Sequence, residues 1–281
     1  MNNLVLRIIT ALIGAGVIIG SIFYSAEAFA FIFILTSTLT HYEYIRTVWH
    51  NSNKSPIFEM LYGLIVGLLF IVFRNSILFD QPIFKFLGEF WIILLIGFLI
   101  AEIFYNREKP FQQIGLNVLG IYYVPFAFGT FIQCGITADT TVQIWFVMGL
   151  LFMVWFNDSF AYFAGRLFGK RKLFERISPK KTWEGFFGGL IMTIICGLIL
   201  SQIFPELTQI QWVIWSVLVV VAGTLGDLAE SLLKRSIQIK DSSSLLPGHG
   251  GFLDRFDAFL VVVPVSATYL SVLAYFNWLP A

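Results

Sequence analysis

The sequence predicts an all-α, polytopic integral membrane protein with about nine transmembrane helices, a cytoplasmic N-terminus and a polar cavity at the cytoplasmic face. Its 281 residues are 58% hydrophobic and only 12% charged, whereas an ordinary soluble domain has about 25% charged residues. The mean hydropathy is +0.81. Long apolar runs recur along the whole chain, and cationic residues concentrate in alternate segments between them.

Nine apolar runs are long enough to span a bilayer, which takes about 20 mostly apolar residues. They cover residues 4–23, 26–47, 57–73, 87–105, 113–133, 142–165, 184–204, 212–233 and 254–276. The first run, behind Arg7 and before small residues, also suits a cleaved signal peptide. A first transmembrane helix fits better, because the second run follows at once and leaves no soluble domain to export.

The distribution of cations predicts the orientation. Lys and Arg residues concentrate in cytoplasmic loops. With the N-terminus inside, only Arg74 and Lys85 of the 18 Lys and Arg residues fall on the outside. A miscounted helix would scramble this asymmetry, so the pattern favours nine spans and a C-terminus outside.

Two cytoplasmic loops, 166–183 and 234–253, are longer than the others. The sequence contains no internal repeat and no low-complexity linker. We therefore predict a single membrane domain over residues 1–281. Residues 1–140 would provide lipid-facing helices and an oligomer scaffold, and residues 142–281 the catalytic helices and loops.

The first polar segment, Trp155 to Gly185, places Asn157 and Asp158 inside an apolar run. A charge at a helix centre costs about 2.5–3.5 kcal/mol on insertion scales, so Asp158 is predicted to face a polar cavity and to contribute to a binding site. Seven cations follow in the adjoining loop. For those at 170–172, the topology rule alone is a sufficient explanation.

The stretch Ser178-Pro179-Lys180-Lys181-Thr182 differs from plain basic sequence. A Ser-Pro start with two hydroxyls and two lysines is predicted to open the next helix. Free N–H groups and the dipole at a helix start favour phosphate. We therefore predict that Ser178, Lys180, Lys181 and Thr182 bind substrate phosphates.

The second polar segment, Ala222 to Ser236, predicts a polar stripe on a membrane helix. Asp227, Glu230, Ser231 and Lys234 fall at i, i+3, i+4 and i+7, which is one helical face. Such a stripe is typical of a functional site. A purely structural Asp–Lys pair between helices is the competing interpretation.

The third polar segment, Leu246 to Leu270, sets charges at the mouth of an apolar helix. Asp254 and Asp257 are i, i+3 neighbours there and can converge with Asp227 from the preceding helix. Oxygen ligands beside a phosphate site suit Mg²⁺, which takes one or two carboxylates plus substrate phosphates.

The glycine-rich turn before this helix bares backbone N–H groups, as phosphate-cradling loops do. It contains His249 and Gly250, which we predict to bind a substrate phosphate. His249 can donate to a phosphate or merely cap the turn. Arg255 can clamp a phosphate or neutralise the two aspartates beside it.

The composition also excludes several functions. The two cysteines, Cys134 and Cys196, are far apart and are predicted to be structural, and no His/Cys cluster argues for zinc. The chain has no HExxH motif and no apparent Ser-His-Asp set. A net charge of +1 gives no reason to expect a nucleic-acid partner.

The polar segments resemble motifs of a known family, the phosphatidate cytidylyltransferases, also called CDP-diacylglycerol synthases. Their signature is matched by Ser231-Leu-Leu-Lys234-Arg235, Lys240-Asp241 and Pro247-Gly-His249-Gly-Gly-Phe-Leu-Asp254-Arg255-Phe-Asp257. The segments Ser178–Gly185 and Asp158–Lys170 also look like family motifs. The resemblance covers the C-terminal half, whereas residues 1–150 match only as generic membrane helices.

This resemblance implies that CTP and phosphatidate react, with Mg²⁺, to give CDP-diacylglycerol and pyrophosphate. It implies that Asp227 and Asp254 are the metal-site aspartates. The remaining catalytic residues would be Ser231, Lys234, Arg235, Arg255 and Asp257. The resemblance also implies a bacterial-type inner membrane, an active site facing the cytoplasm and a homodimer, and it leaves open whether a monovalent ion joins Mg²⁺.

Two other functions compete with this one. A CTP-dependent lipid-alcohol kinase would have to activate a hydroxyl group, and the long signature from Lys234 to Asp257 points away from it. A cation or phosphate transporter using Asp158 and Asp227 would place its binding residues near the membrane midplane, in repeated broken helices. The polar residues here cluster at one predicted face instead.

Overall fold

The computed structural model describes residues 3–49, 57–75, 82–105, 109–239, 242–243, 245 and 250–279. Within these ranges the chain forms ten helices and one short hairpin. The helices are α1 (Asn3–Tyr24), α2 (Ala26–Val48), α3 (Ile57–Arg74), α4 (Pro82–Tyr105), α5 (Pro110–Tyr123), α6 (Pro125–Gly135), α7 (Ile144–Phe168), α8 (Trp183–Ile203), α9 (Gln209–Ser236) and α10 (Leu253–Tyr275). The strands are β1 (Lys172–Phe174) and β2 (Ser178–Thr182).

Helices occupy all nine apolar runs that the sequence indicated. The run predicted as one span over 113–133 is divided into α5 and α6, which meet at Val124. Pro125 begins α6 and has no N–H to donate, so the backbone ladder is interrupted there. The N–H of Val124 donates to the carbonyl of Gly120 at 3.0 Å, and the N–H of Phe128 donates to the carbonyl of Val124 at 3.2 Å.

Six helical stretches of the described chain, with α5 and α6 counted as one, are long and apolar enough to cross a membrane. Large apolar side chains lie exposed along them, such as Ile191, Ile195 and Ile199 on one stripe of α8. Exposed apolar area on this scale is expected of helices that face lipid. The chain is an integral membrane protein, whereas nine spans and a cytoplasmic N-terminus stay predictions.

The hairpin is a departure from the all-α prediction. Strands β1 and β2 pair antiparallel, with Lys172 opposite Thr182 and Phe174 opposite Ser178. The prediction that Ser178 opens a helix is therefore wrong. Pairing with β1 satisfies the backbone groups of β2, so this segment is extended rather than helical.

Helix α8 begins after the hairpin, and Thr182 is its N-cap. The hydroxyl of Thr182 accepts the N–H of Gly185 at 3.1 Å, as a capping threonine does. Glu184 in the first turn accepts the N–H groups of Lys170 and Arg171 at 3.0 and 3.2 Å. These bonds hold the base of the hairpin against the start of α8.

Two compact units divide the described residues. The first contains the chain up to Val142 together with Ser236–Phe256, and the second contains Gln143–Arg235 together with the chain from Asp257 onward. The first turn of α10 thus belongs to the first unit and the rest of that helix to the second.

Aromatic packing between α2 and α6 forms the core of the first unit. Phe29 and Phe33 on α2 contact Phe131 on α6, with ring centroids 5.6 and 4.8 Å apart. All three side chains are fully buried. The hydroxyl of Tyr44 donates to the carbonyl of Leu116 at 3.0 Å and ties α2 to α5.

The core of the second unit is built on tryptophans of α9. Trp212 and Trp215 are fully buried, and Trp215 stacks on Phe146 of α7 with ring centroids 5.8 Å apart. The indole N–H of Trp215 donates to the hydroxyl of Ser266 on α10 at 2.8 Å. A buried indole needs such an acceptor, and here the bond also fixes α9 against α10.

Helices α7 and α8 approach closely through glycines of α8. A Cβ on Gly189 would lie 2.6 Å from Oδ1 of Asn157 and 3.1 Å from Cβ of Ala161. Small residues allow this contact between membrane helices, where packing rather than water exclusion drives association.

We expect Gly189→Leu to destabilise the second unit, because the added side chain collides with Asn157 and Ala161 on α7. Overpacking of this kind costs about 1–3 kcal/mol. Thermal unfolding in detergent measures the loss. Gly16→Leu is the matched control, since a Cβ there has no neighbour within 4 Å among the described residues. An equal effect of both substitutions would contradict the α7–α8 contact.

Candidate active site

Three carboxyl groups and two ammonium groups meet in the second unit. Asp227 on α9 forms an ion pair with Lys181 at the end of β2. Glu230, one turn further along α9, pairs with Lys234, with Oε2 and Nζ 2.6 Å apart. The carboxyl of Asp257 on α10 lies close enough to those of Asp227 and Glu230 to interact with both electrostatically.

Helical spacing and one glycine place these groups together. Asp227, Glu230 and Lys234 lie at i, i+3 and i+7, so they share a face of α9 as predicted. A Cβ on Gly226 would lie 2.6 Å from the carbonyl oxygen of Asp257. Only glycine allows α10 to come this near to α9, and the approach brings Asp257 to the stripe.

The cluster is short of positive charge. The three carboxyl groups of Asp227, Glu230 and Asp257 face the two ammonium groups of Lys181 and Lys234. Oxygen donors of this kind suit Mg²⁺, which leaves several of its positions to water and substrate phosphates. Among the described residues no group of three or more His, Cys, Asp and Glu side chains has the arrangement of a complete metal site.

Asp254 is held in the first unit by the loop that precedes α10. Its Oδ2 accepts the N–H and the hydroxyl of Ser242 at 3.1 and 3.0 Å, and the N–H of Gly251 at 2.9 Å. Oδ1 also lies 3.3 Å from the backbone nitrogen of Ser242. The loop before α10 therefore supplies donors to both oxygens of this carboxylate.

Gly250 explains why this loop is rich in glycine. Its φ of 87° lies in the left-handed region, which side chains other than glycine rarely adopt. A Cβ there would also lie 3.0 Å from Oδ2 of Asp254. His249 lies outside the described residues.

Sequence reasoning missed one residue of this loop's surroundings. Glu43 on α2 is completely buried, and it accepts hydrogen bonds from Ser242, Ser243 and Leu253. In the sequence it lies near the end of the apolar run over residues 26–47. A carboxylate inside a membrane helix is itself a signal of function, and that signal was available.

The other predicted site residues differ in their exposure to solvent. Asp158, Lys180, Arg235 and Arg255 are exposed, and Ser178 and Ser231 are partly buried. The side-chain amide of Asn157 lies 3.4 Å from the carboxylate of Asp158. Both cysteines are free thiols, as predicted. The cytoplasmic cavity and the meeting of Asp227 with Asp254 stay predictions.

A family model described as the cytidylyltransferase family matches residues 5–273, almost the entire chain and both of its units. The chain belongs to this family. It is therefore a nucleotidyltransferase, and the resemblance that the signature indicated is confirmed.

Relatives in three bacteria carry the name phosphatidate cytidylyltransferase. The protein of Bacillus subtilis is 32% identical over 265 residues, which cover 92% of this chain and 94% of that protein. The protein of Staphylococcus saprophyticus is 45% identical over 203 residues, covering 72% and 66% of the two chains. The protein of Haemophilus influenzae is 42% identical over 133 residues, or 46% of each.

We expect Lys181→Met to change the stability of the protein little. The side chains of Lys181 and Asp227 are 28% and 25% exposed, and ion pairs that water reaches contribute at most about 1 kcal/mol. Thermal unfolding of the purified variant checks this, with Lys172→Met on the exposed face of the hairpin as the control. A much lower unfolding midpoint for Lys181→Met alone would show that the pair is structural.

Proposed function

We propose that the chain is a phosphatidate cytidylyltransferase, which makes CDP-diacylglycerol and pyrophosphate from CTP and phosphatidate in phospholipid biosynthesis. The observation that carries the proposal is the end-to-end similarity to a relative of that name, at 32% identity over 92% of the chain. The cluster of carboxyl and ammonium groups supports a mechanism that relies on fixed charges.

The reaction needs little acid–base catalysis. A phosphate oxygen of phosphatidate attacks the α-phosphorus of CTP, the bond from that phosphorus to the oxygen bridging to the β-phosphate breaks, and pyrophosphate leaves. The second pKa of a phosphomonoester is about 6, so the nucleophile is already ionised at neutral pH. The barrier lies in bringing two polyanions together, which positioning and fixed charges overcome.

The cations of the second unit suit this task. Lys181 and Lys234 are each held by a carboxylate, so their ammonium groups are fixed before substrate arrives. We assign them to neutralising phosphate charge, together with Arg235 and Arg255. Ser231, beside Glu230 on α9, would donate to a phosphate oxygen. Fixed charges cost no reorganisation during the reaction, which is why they accelerate it.

The carboxylates would hold a divalent cation on the nucleotide. We assign Asp227 and Asp254 to Mg²⁺, with Asp257 beside Asp227. The proximity of the carboxyls of Asp227 and Asp257 supports the assignment of Asp227, and the match to the family signature supports that of Asp254. Mg²⁺, when bound, neutralises charge on the transferred phosphate. A second, monovalent ion would find oxygen ligands in the same set.

The remaining substrate contacts follow from the polar loops. We assign Ser178, Lys180, Thr182, Gly250, His249 and Asp158 to the phosphate groups of CTP and phosphatidate. Because Thr182 Oγ1 already accepts the N–H of Gly185, its own hydroxyl hydrogen is the group that can reach a phosphate. The extended form of β2 means that side chains and edge N–H groups would bind there, not a helix start.

Location and assembly belong to the same proposal. The excess of Lys and Arg on one predicted side supports an active site facing the cytoplasm of a bacterial inner membrane. There a nucleotide from solution and a lipid phosphate can meet. A homodimer is the expected assembly of the family.

Transfer of label from CTP into lipid tests the reaction. With phosphatidate and Mg²⁺, purified protein is expected to make lipid-soluble label from CTP labelled at the α-phosphorus, and none from CTP labelled at the γ-phosphorus. Incorporation of γ-label into lipid would instead indicate a lipid kinase. If folded protein transfers neither label from CTP into lipid, both enzyme functions are contradicted and the transporter hypothesis is favoured.

Asp227→Asn and Asp254→Asn test the metal assignment in the same assay. Each is expected to lower turnover about a hundredfold, because loss of a charged ligand weakens binding of the cation. The matched control is Asp139→Asn, on an exposed turn, which is expected to keep full activity. Activity that survives at Asp254→Asn would preserve the reaction and remove Asp254 from the metal site.

A further inference from the structure

Glu43 is a buried carboxylate far from the family signature in sequence and in contact with it in space. The residue is 0% exposed, near the end of α2 in the first unit. Its Oε1 accepts the hydroxyl of Ser243 at 2.5 Å. Its Oε2 accepts the N–H of Leu253 at 2.8 Å and lies 3.1 Å from the hydroxyl of Ser242.

These bonds fix the start of α10. The N–H of Leu253 is one of the first four donors of that helix, which have no acceptor within the helix. Glu43 supplies the acceptor, so the first residue of α10 is attached to α2. Asp254, which we assign to Mg²⁺, is the next residue along the same turn.

A single hydroxyl connects Glu43 with Asp254. Oγ of Ser242 lies 3.1 Å from Oε2 of Glu43 and 3.0 Å from Oδ2 of Asp254. A hydroxyl carries one hydrogen, so the two carboxylates share the same donor. Displacement of Glu43 would therefore change the hydrogen bond from Ser242 to Oδ2 of Asp254, and with it the orientation of the Asp254 carboxylate.

Close approach of the loop to α2 requires a glycine. A Cβ on Gly251 would lie 2.9 Å from the carboxyl carbon of Glu43. The N–H of the same glycine donates to Asp254. Gly251 thus packs against one carboxylate and binds the other, which is consistent with a loop built around the pair.

We propose that Glu43 is a positioning residue of the active site, which orients Asp254 through Ser242, Ser243 and the first turn of α10. The inference rests on the proposed role of Asp254 in the cytidylyltransfer reaction. It extends the site to α2, which lies far from the signature segments in the sequence.

Both carboxyl oxygens of Glu43 are needed to serve its three donors. Each carboxylate oxygen accepts, whereas Gln keeps one acceptor and adds a donor group. Hydrogen bonds to an ionised acceptor are also about twice as strong as neutral ones. Glu43→Gln keeps the shape of the side chain, so it removes charge and one acceptor without opening a cavity.

Glu43→Gln is expected to lower kcat about 10–100-fold, the usual cost of losing an outer partner of a metal ligand, and to raise the Mg²⁺ concentration for half-maximal rate. The matched control is Glu27→Gln, which makes the same change at an exposed position of the same helix and is expected to leave both values unchanged. A purely structural Glu43 would lower the yield or the unfolding temperature and leave kcat and the Mg²⁺ requirement of folded molecules as in wild type.

A double-mutant cycle with Ser243→Ala tests the connection itself. Because the two side chains share a hydrogen bond, the loss in the double variant is expected to be smaller than the product of the single losses. Independent, multiplicative losses would overturn the proposed path from Glu43 to the loop. Wild-type kcat and Mg²⁺ dependence in Glu43→Gln would overturn the positioning role altogether.

Amide hydrogen exchange tests the anchoring without substrate or metal, and so separates this inference from the proposed reaction. Peptides covering residues 250–256 are expected to exchange faster in Glu43→Leu than in wild type, since the acceptor of the Leu253 N–H is gone. Equal exchange rates would overturn the anchoring even in an active enzyme. If wild type makes no CDP-diacylglycerol but exchange rises in the variant, the reaction assignment fails and the anchoring stands.

Discussion

A carboxylate among membrane helices must find hydrogen-bond donors or a cation, because burying an unpaired charge in an apolar bundle is prohibitively costly. Four of the described carboxylates meet this requirement through nearby groups. Glu43 takes donors from the loop before α10, Asp254 takes donors from the same loop, and Asp227 and Glu230 take ammonium groups. The glycines, the capped helix starts and the hairpin are the backbone arrangements that deliver those donors.

The same constraint makes the region suitable for phosphate chemistry. A site that holds carboxylates and ammonium groups in fixed pairs has both signs of charge ready for a polyanionic substrate and its cation. The side chains of Glu230 and Lys234 are only 1% and 12% exposed, so water screens their charges less than those of the more exposed Lys181–Asp227 pair.

Apolar length and helical spacing predicted most of the fold. The runs before and after each loop became helices, and the stripe of Asp227, Glu230 and Lys234 was visible from its spacing alone. The hairpin was missed because Ser178-Pro179 is typical of a helix start, and strand pairing with residues 172–174 overrode that local preference. Pro125 divided a span that hydropathy alone treats as one.

The contacts of Glu43 could not be predicted in the same way. Its partners are Ser242, Ser243 and Leu253, and neither spacing nor local composition connects residues so far apart in one sequence. Close approach of Gly251 to α2 is likewise a tertiary fact. What the sequence did contain was a charge inside an apolar run, which marks a residue as needing a partner without saying which.

The distance along the chain between Glu43 and its partners has a consequence for biogenesis. The hydroxyl of Ser242 follows Glu43 by 199 residues. At synthesis rates of about 5–20 residues per second, that separation is about 10–40 s. During this interval α2 is already made, and its carboxylate has none of the loop donors that satisfy it in the folded protein. Until then, water, the insertion machinery or lipid headgroups must solvate Glu43. The final packing of α2 therefore follows the synthesis of α10.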